Sequence, residues 1–270
     1  MSQLSNDQIR QNVRSRYKEI ALQPVEVSSC CSPAAASSSC CGSPGTSADL
    51  SLQLGYSGEE LTAAPEGANL GLGCGNPQAI AELIPGEVVL DLGSGGGFDC
   101  FLAARQVGET GRVIGVDMTP EMISRARHNA TNGGYLNTEF RLGEIEHLPV
   151  ADGTVDVIIS NCVINLSPAK QEVFDEAYRV LRSGGRLAIA DVITTADLPA
   201  EIKEDLDRMY SGCISGASSV EEIKVMLAKS GFSEVHVEPK EESRSFIKDW
   251  VTGSNVEQYI ASAVIKAIKP

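Results

Sequence analysis

Two groups of residues in this 270-residue chain have the chemistry of a site. The first is Asp91-Leu92-Gly93-Ser94-Gly95-Gly96-Gly97, an acid followed by a glycine-dense turn, with a second acid at Asp117. Glycine in such a turn lets a ligand lie against bare backbone N–H groups at a helix N-terminus. Gly93 and Gly95 fill the first two places of Gly-x-Gly-x-x-Gly, but the third falls on Phe98. That third glycine serves close packing around a pyrophosphate, so its absence predicts a nucleoside ligand with no phosphate bridge, and Asp117 is placed to accept from its ribose hydroxyls. The second group is eight cysteines, at 30, 31, 40, 41, 74, 100, 162 and 213. The polar start of the chain, Met1 to Arg16, has no signal-peptide core, so these are expected to be reduced thiols suited to metal, metalloid or redox chemistry. Three or four converging thiols suit a soft ion. The short Cys-x₂-Cys knuckle of many structural zinc sites is missing.

The thiols differ in what surrounds them. Cys162 follows an apolar run in Ser160-Asn161-Cys162-Val163-Ile164-Asn165, which puts it on a ligand edge or makes it a small buried hydrophobe. Cys213 lies among Gly and Ser between helical patterns, where packing alone does not demand a thiol. Cys100 sits among Phe101, Ala103 and Ala104 and is expected to fill core. Cys40 and Cys41 are accessory thiols or bystanders. His128, His147 and His236 belong to no motif, which leaves a cysteine nucleophile without an evident histidine base.

The segments that carry these residues alternate as βαβ units, predicting an α/β fold with helices on both faces of a parallel sheet. Strands are expected at 88–92, 112–117, 138–144, 155–160 and 186–192, the last completing the main sheet. Helices are expected at 98–104, 120–129 and 171–181. Beyond them come helices near 200–210 and 220–229, and strands near 234–239 and 259–268. Ligands of such sheets bind outside the carboxyl ends of the strands, where Asp91, Asp117, Gly143, Glu144, Asn161 and Cys162 all fall. Asn76 and Pro77 predict a helix through Leu83; its roughly 10 Å brings the chain down from the ligand edge and lets Cys74 share that edge with Cys162. Leu50 to Cys74 reads as loop. The opening 7–17 reads as one amphipathic helix, and the Ser-, Ala- and Cys-rich stretch 27–47 as a mobile arm carrying thiols. The expected division is 1–60 for helix and arm, 61–195 for the ligand-binding domain, and 196–270 for a smaller C-terminal substrate-binding region.

Composition narrows the class. Lys and Arg number 22 against 36 Asp and Glu, a formal net charge of −14, and no basic cluster stands out, so binding along a nucleic-acid backbone is not expected. No apolar run approaches the ~20 residues of a membrane helix, and a soluble cytoplasmic protein is expected.

Asp91-Leu92-Gly93-Ser94-Gly95-Gly96-Gly97, Gly115-Val116-Asp117-Met118-Thr119, Ser160-Asn161-Cys162-Val163-Ile164-Asn165-Leu166 and the Gly212-Cys213 loop resemble arsenite methyltransferases, which use S-adenosylmethionine. The nucleoside motifs alone would fit any class I methyltransferase; the Asn-Cys-Val-Ile-Asn-Leu segment with Cys74 and Cys213 is more specific. The resemblance implies a class I Rossmann-like sheet and successive methylations of trivalent arsenic, for arsenic detoxification. It implies that Asp91, Gly93, Ser94 and Gly95 hold the methionine part, and that Asp117 takes the ribose. Met118 would pack on the adenine, Glu144 and Ile145 would flank the base, and Asn161 would contact the methionine end. Cys74, Cys162 and Cys213 would be the arsenic-binding thiols, with Cys30 or Cys31 as the N-terminal one. Glutathione or thioredoxin would supply electrons. A methyltransferase for a small carbon, lipid or quinone acceptor would show no thiol dependence. A non-catalytic metalloid-binding protein would take arsenite without consuming S-adenosylmethionine.

Overall fold

The computed structural model of the chain describes residues 5–23, 46–199, 214, 216–250 and 255–270. The arm at 27–45 with Cys30, Cys31, Cys40 and Cys41, the helix expected near 200–210, and Cys213 lie outside the described residues.

Five parallel strands form the centre of one sheet: β1 (Val88–Leu92), β2 (Arg112–Asp117), β3 (Thr138–Leu142), β4 (Val155–Asn161) and β5 (Leu181–Thr194). Two-residue β6 (Ser218–Ser219) pairs with the end of β5. β7 (Ser233–Lys240) and β8 (Ile260–Ile268) follow, and the order across the sheet is β3-β2-β1-β4-β5-β8-β7. β8 is antiparallel to β5, so β5 does not complete the sheet as the sequence predicts, and the C-terminal strands extend it instead. β5 also starts before the expected Arg186. The tail of β8 supplies partners there, with Gly184 N–H donating to Lys269 O at 2.7 Å and Lys269 N–H to Gly185 O at 2.9 Å.

The two-residue period of the strands divides the core. Leu90, Leu92 and Ile158 face one side with α7 (Lys170–Val180) and α8 (Val220–Ser230). Val89, Val157 and Ile159 face the other, toward α5 (Phe98–Val107) and α6 (Pro120–Gly133). Cys100 is fully buried in this second layer, as expected of a core filler. A third cluster gathers at the carboxyl ends of the strands, where Val13, Cys74, Cys162, Leu166, Val192 and Ile260 meet.

The remaining helices surround that edge. α1 (Asn6–Leu22) runs five residues past its amphipathic stretch, and Ser5 and Gln8 form a capping box at its start. The stretch 50–74 is not simply loop. Capping boxes Thr46/Asp49 and Ser57/Glu60 start α2 (Ser47–Gln53) and α3 (Gly58–Ala63), signals that the apolar periodicity of such short segments does not show. The helix after Pro77 is shorter than expected: α4 is only Gln78–Ala81, stopped where Glu82 turns left-handed at φ 50°. A last single turn, α9 (Arg244–Ile247), packs against β8.

Candidate active site

The chain leaves β1 through left-handed glycines, with φ of 71° at Gly93, 51° at Gly95 and 90° at Gly97, before α5 begins at Phe98. Gly93 and Gly95 need that freedom for different reasons. A Cβ at Gly93 would stand 2.4 Å from Val163 Cγ2, whereas one at Gly95 would meet no protein atom within 4 Å. Gly93 therefore serves packing, and Gly95 leaves space beside a cavity of about 940 Å³, large for a small-molecule site, typically ~300–1,000 Å³. Asp117, at the end of β2, accepts from Gly95 N–H at 3.0 Å and Thr119 N–H at 2.8 Å. Gly93, Ser94, Gly95, Asp117, Met118 and Ile145 all line the cavity. The Ser94 hydroxyl is buried there without a hydrogen-bond partner, the kind of group a bound ligand satisfies. Arg10, Val13, Arg16 and Tyr17 of α1 line the cavity as well, and Arg10 pairs with the buried Glu146 at 3.0 Å.

Two of the acids that line the cavity stand close together. Asp91 and Asp99 both line the cavity and are buried. Burial, with the Asp99 charge beside it, holds Asp91 well above the ordinary carboxylate range. Burial pushes Asp99 up to about 6, although the Tyr56 hydroxyl donates to it at 2.8 Å. Two carboxylates held at this cost are complementary to a cationic ligand.

Beside these acids lie the thiols. Cys74 comes from the loop before α4 and Cys162 from the residue after β4, at φ 60°. Cys162 N–H donates to Ala190 O at 2.8 Å and Cys74 Sγ lies 3.5 Å from the same carbonyl. Their two sulfurs and a carboxylate oxygen of Asp191 all fall within 4.8 Å of one another. Asn161 joins thiols to acids: its Oδ1 accepts from Cys74 N–H at 3.0 Å, while Nδ2 donates to Tyr56 Oη at 3.0 Å and Gly75 O at 2.8 Å. The glycines flanking Cys74 permit this closeness. A Cβ at Gly73 would stand 2.8 Å from the Asn161 amide, and one at Gly75 2.9 Å from Ala190 Cβ.

Residues 83–231 match a methyltransferase domain family. Along 98% of its length the chain is 52% identical to an arsenite methyltransferase of Halobacterium salinarum, spanning 67% of that protein. The chain belongs to the arsenite methyltransferase family. The human arsenite methyltransferase is 40% identical over 169 residues, which cover 59% of this chain and 44% of the human one. Among solved structures, the arsenic(III) S-adenosylmethionine methyltransferase of Chlamydomonas reinhardtii is similar, with TM-score 0.61 and 31% identity, covering 84% of this chain and 75% of that one. The chain thus spans about two thirds of the halobacterial relative and under half of the human one.

Within this arsenite methyltransferase fold, the structure brings Asp91, Gly93, Ser94, Gly95, Asp117, Met118, Ile145, Asn161 and Cys162 to one cavity, with Cys74 beside it. Glu144 stands apart. It pairs with Arg14 at 3.2 Å and, with Met118 and Pro120, lines a separate pocket of about 210 Å³, while its neighbour Glu146 lines the main cavity. Several residues at the site escape sequence reasoning. Tyr56 and Asp99 come from a segment read as loop and from inside a helix, and carry no local signal. Asp191 does carry one, an acid set within an apolar strand run, as Asp91 is within β1. Ser262 of β8 donates to Cys74 O at 2.6 Å across 188 positions of chain, which no spacing rule anticipates. None of the described helices is long and apolar enough to cross a membrane.

Proposed function

We propose that this chain methylates trivalent arsenic held by its cysteine thiolates, with S-adenosylmethionine as methyl donor. The observation that carries the reading is the thiol pair: Cys74 and Cys162, 88 positions apart in the chain, place their sulfurs within 4.8 Å beside the cavity of the glycine turn. S-adenosylmethionine supplies an electrophilic methyl group on a cationic sulfonium. Toward it, Asp91 and Asp99 face the charged methionine end, the Ser94 hydroxyl gains a partner, Asp117 takes the ribose hydroxyls, and Met118 and Ile145 pack on the base. Arsenic held by thiolates keeps a lone pair. Directed at the methyl carbon, that pair forms the As–C bond while the C–S bonding pair stays with sulfur, so no general base is needed and positioning supplies most of the rate. The transfer formally oxidises arsenic to the pentavalent state. Two electrons from a pair of thiols, the chain's own cysteines or those of glutathione or thioredoxin, return it to the trivalent state for the next methylation. The Arg10–Glu146 pair holds α1 over the cavity and limits water beside the sulfonium, whose charge is lost as the reaction proceeds. A reducing, cytoplasmic setting keeps the thiols available.

The test is incubation of the purified chain with arsenite, glutathione and S-adenosylmethionine, followed by separation of arsenic species by mass. Methylated arsenic is expected from the natural chain and not from Cys74→Ser or Cys162→Ser; full activity in either variant would remove the thiol-pair reading. Cys31→Ser is expected to spare a substrate that arrives already methylated.

A further inference from the structure

We infer that Cys74, Cys162 and Asp191 together form a site for a thiophilic divalent cation, Zn²⁺ or Cd²⁺, whose occupation blocks the arsenic seat. Arsenic(III) is satisfied by sulfur, and the proposed methylation gives Asp191 no task. Yet its carboxylate is almost wholly buried and lies within 4.8 Å of both sulfurs. Two sulfurs and one carboxylate oxygen are a donor set that zinc accepts, with three protein ligands leaving a fourth position for water or an exchangeable ligand. The three donors come from three rigid places: the Gly-Cys-Gly loop, the end of β4 and the interior of β5. Tetrahedral bonds of about 2.3 Å to sulfur and about 2.1 Å to oxygen put donor atoms roughly 3.6–3.8 Å apart, so closing on an ion needs movements of about 1 Å, within reach of side-chain torsions.

The carboxylate is held as ligating carboxylates are. Asn165 Nδ2 donates to it at 2.8 Å, Val192 N–H at 2.7 Å and Asn165 N–H at 3.4 Å, which fixes its plane while leaving lone pairs toward the thiols. Cys162 lines the main cavity and offers the entry path. A formal net charge of −14 favours the approach of a divalent cation over that of an anion. Loading displaces the thiol protons to solvent. The binding depends on these three side chains alone; only its inhibitory consequence rests on the reading that the same thiols receive arsenic.

The experiment uses the full chain, reduced and metal-free, with Cys30, Cys31, Cys40, Cys41 and Cys213 all changed to Ser, which leaves the wholly buried Cys100 as the one other thiol. Titration with Cd²⁺, followed by ultraviolet Cd–thiolate charge-transfer absorbance and by competition with a chromophoric chelator, is expected to give one equivalent bound. In the same background Asp191→Asn should weaken Cd²⁺ by roughly ten-fold or more, and Cys162→Ser should remove the absorbance. Asp191→Asn should leave the binding of arsenite unchanged. A Cd²⁺ affinity that Asp191→Asn leaves unaltered, in a chain of unchanged thermal transition, overturns the site, as does a background chain that binds no Cd²⁺. Should Asp191→Asn fail to fold, Cys162→Ser decides: Cd²⁺ affinity that survives it also overturns the site. Methylation by the natural chain reports separately on the arsenic reading. A protein that binds Cd²⁺ through Asp191 but methylates no arsenic loses that reading and keeps this site.

Discussion

At the residue scale, the proposed contact of Asp91 and Asp99 with the cationic end of S-adenosylmethionine predicts that cofactor binding depends on pH. Burial holds Asp99 at about 6, against an ordinary value of 3.8, and holds Asp91 well above the ordinary carboxylate range. The fold therefore favours the protonated carboxyl. Its contribution to stability is complete below the ordinary value and is lost as pH rises through about 6, so near neutrality the protein without ligand carries an ionised Asp99 that burial disfavours. A cationic ligand beside the pair favours the ionised form and reverses that penalty. S-adenosylmethionine should consequently raise the melting temperature more at about pH 7.5 than at about pH 5.5, and its binding near pH 6 should release protons. Thermal shifts at the two pH values, and calorimetry in buffers of different ionisation enthalpy, check both. Asp99→Asn should flatten the pH dependence, and equal shifts in the natural chain would mean that the acids do not meet the ligand's charge.

At the scale of the element, the turn between β1 and α5 separates two uses of glycine that look identical in a motif. Both Gly93 and Gly95 are left-handed, so alanine at either costs ~1–2 kcal/mol in backbone conformation. Only at Gly93 does the new methyl also collide with Val163, adding roughly 1–3 kcal/mol of overpacking. Gly93→Ala should unfold at clearly lower temperature or denaturant concentration. Gly95→Ala should lose only the backbone part of that stability, but also affinity for S-adenosylmethionine, because its methyl projects into space the protein leaves open. Denaturation curves and equilibrium dialysis distinguish them; a Gly93→Ala chain as stable as Gly95→Ala would contradict the packing role of Val163.

At the scale of the whole molecule, Cys74, proposed above as an arsenic thiol, is held by the C-terminal strand β8. β8 enters the sheet antiparallel beside β5, which sets Ser262 under the Cys74 loop. Ser262 N–H is itself held by Ser243 Oγ at 2.9 Å, so the loop, β8 and the turn after β7 form one connected support. Ser262→Ala leaves the buried Cys74 carbonyl without that donor, a loss of about 1 kcal/mol in stability. The larger effect should be functional: weaker arsenite binding and a higher KM for arsenite, with affinity for S-adenosylmethionine unchanged. A uniform loss of both affinities would indicate general destabilisation instead.

Much of the glycine-turn half of the site is legible in the sequence because it is local. Asp91, the glycine turn and Asp117 lie at strand ends, and parallel strands of a βαβ sheet bring their carboxyl ends to one edge whatever their lengths. The same rule carries Asn161 and Cys162 to that edge. What spacing cannot supply is the pairing of segments with no shared periodicity: Cys74 with Cys162, Tyr56 with Asp99, Ser262 with Cys74, Arg10 with Glu146. Those contacts arise from how the loop before α4, the helix α1 and the antiparallel strands β7 and β8 settle on the sheet, which is decided by packing of the apolar cluster at its carboxyl edge. The sequence by itself determined the parallel α/β core and the residues of its glycine turn, since hydrophobic period and glycine conformation act within a few positions. Only the tertiary structure decided which thiols and acids meet, since that depends on burial shared among segments far apart in the chain.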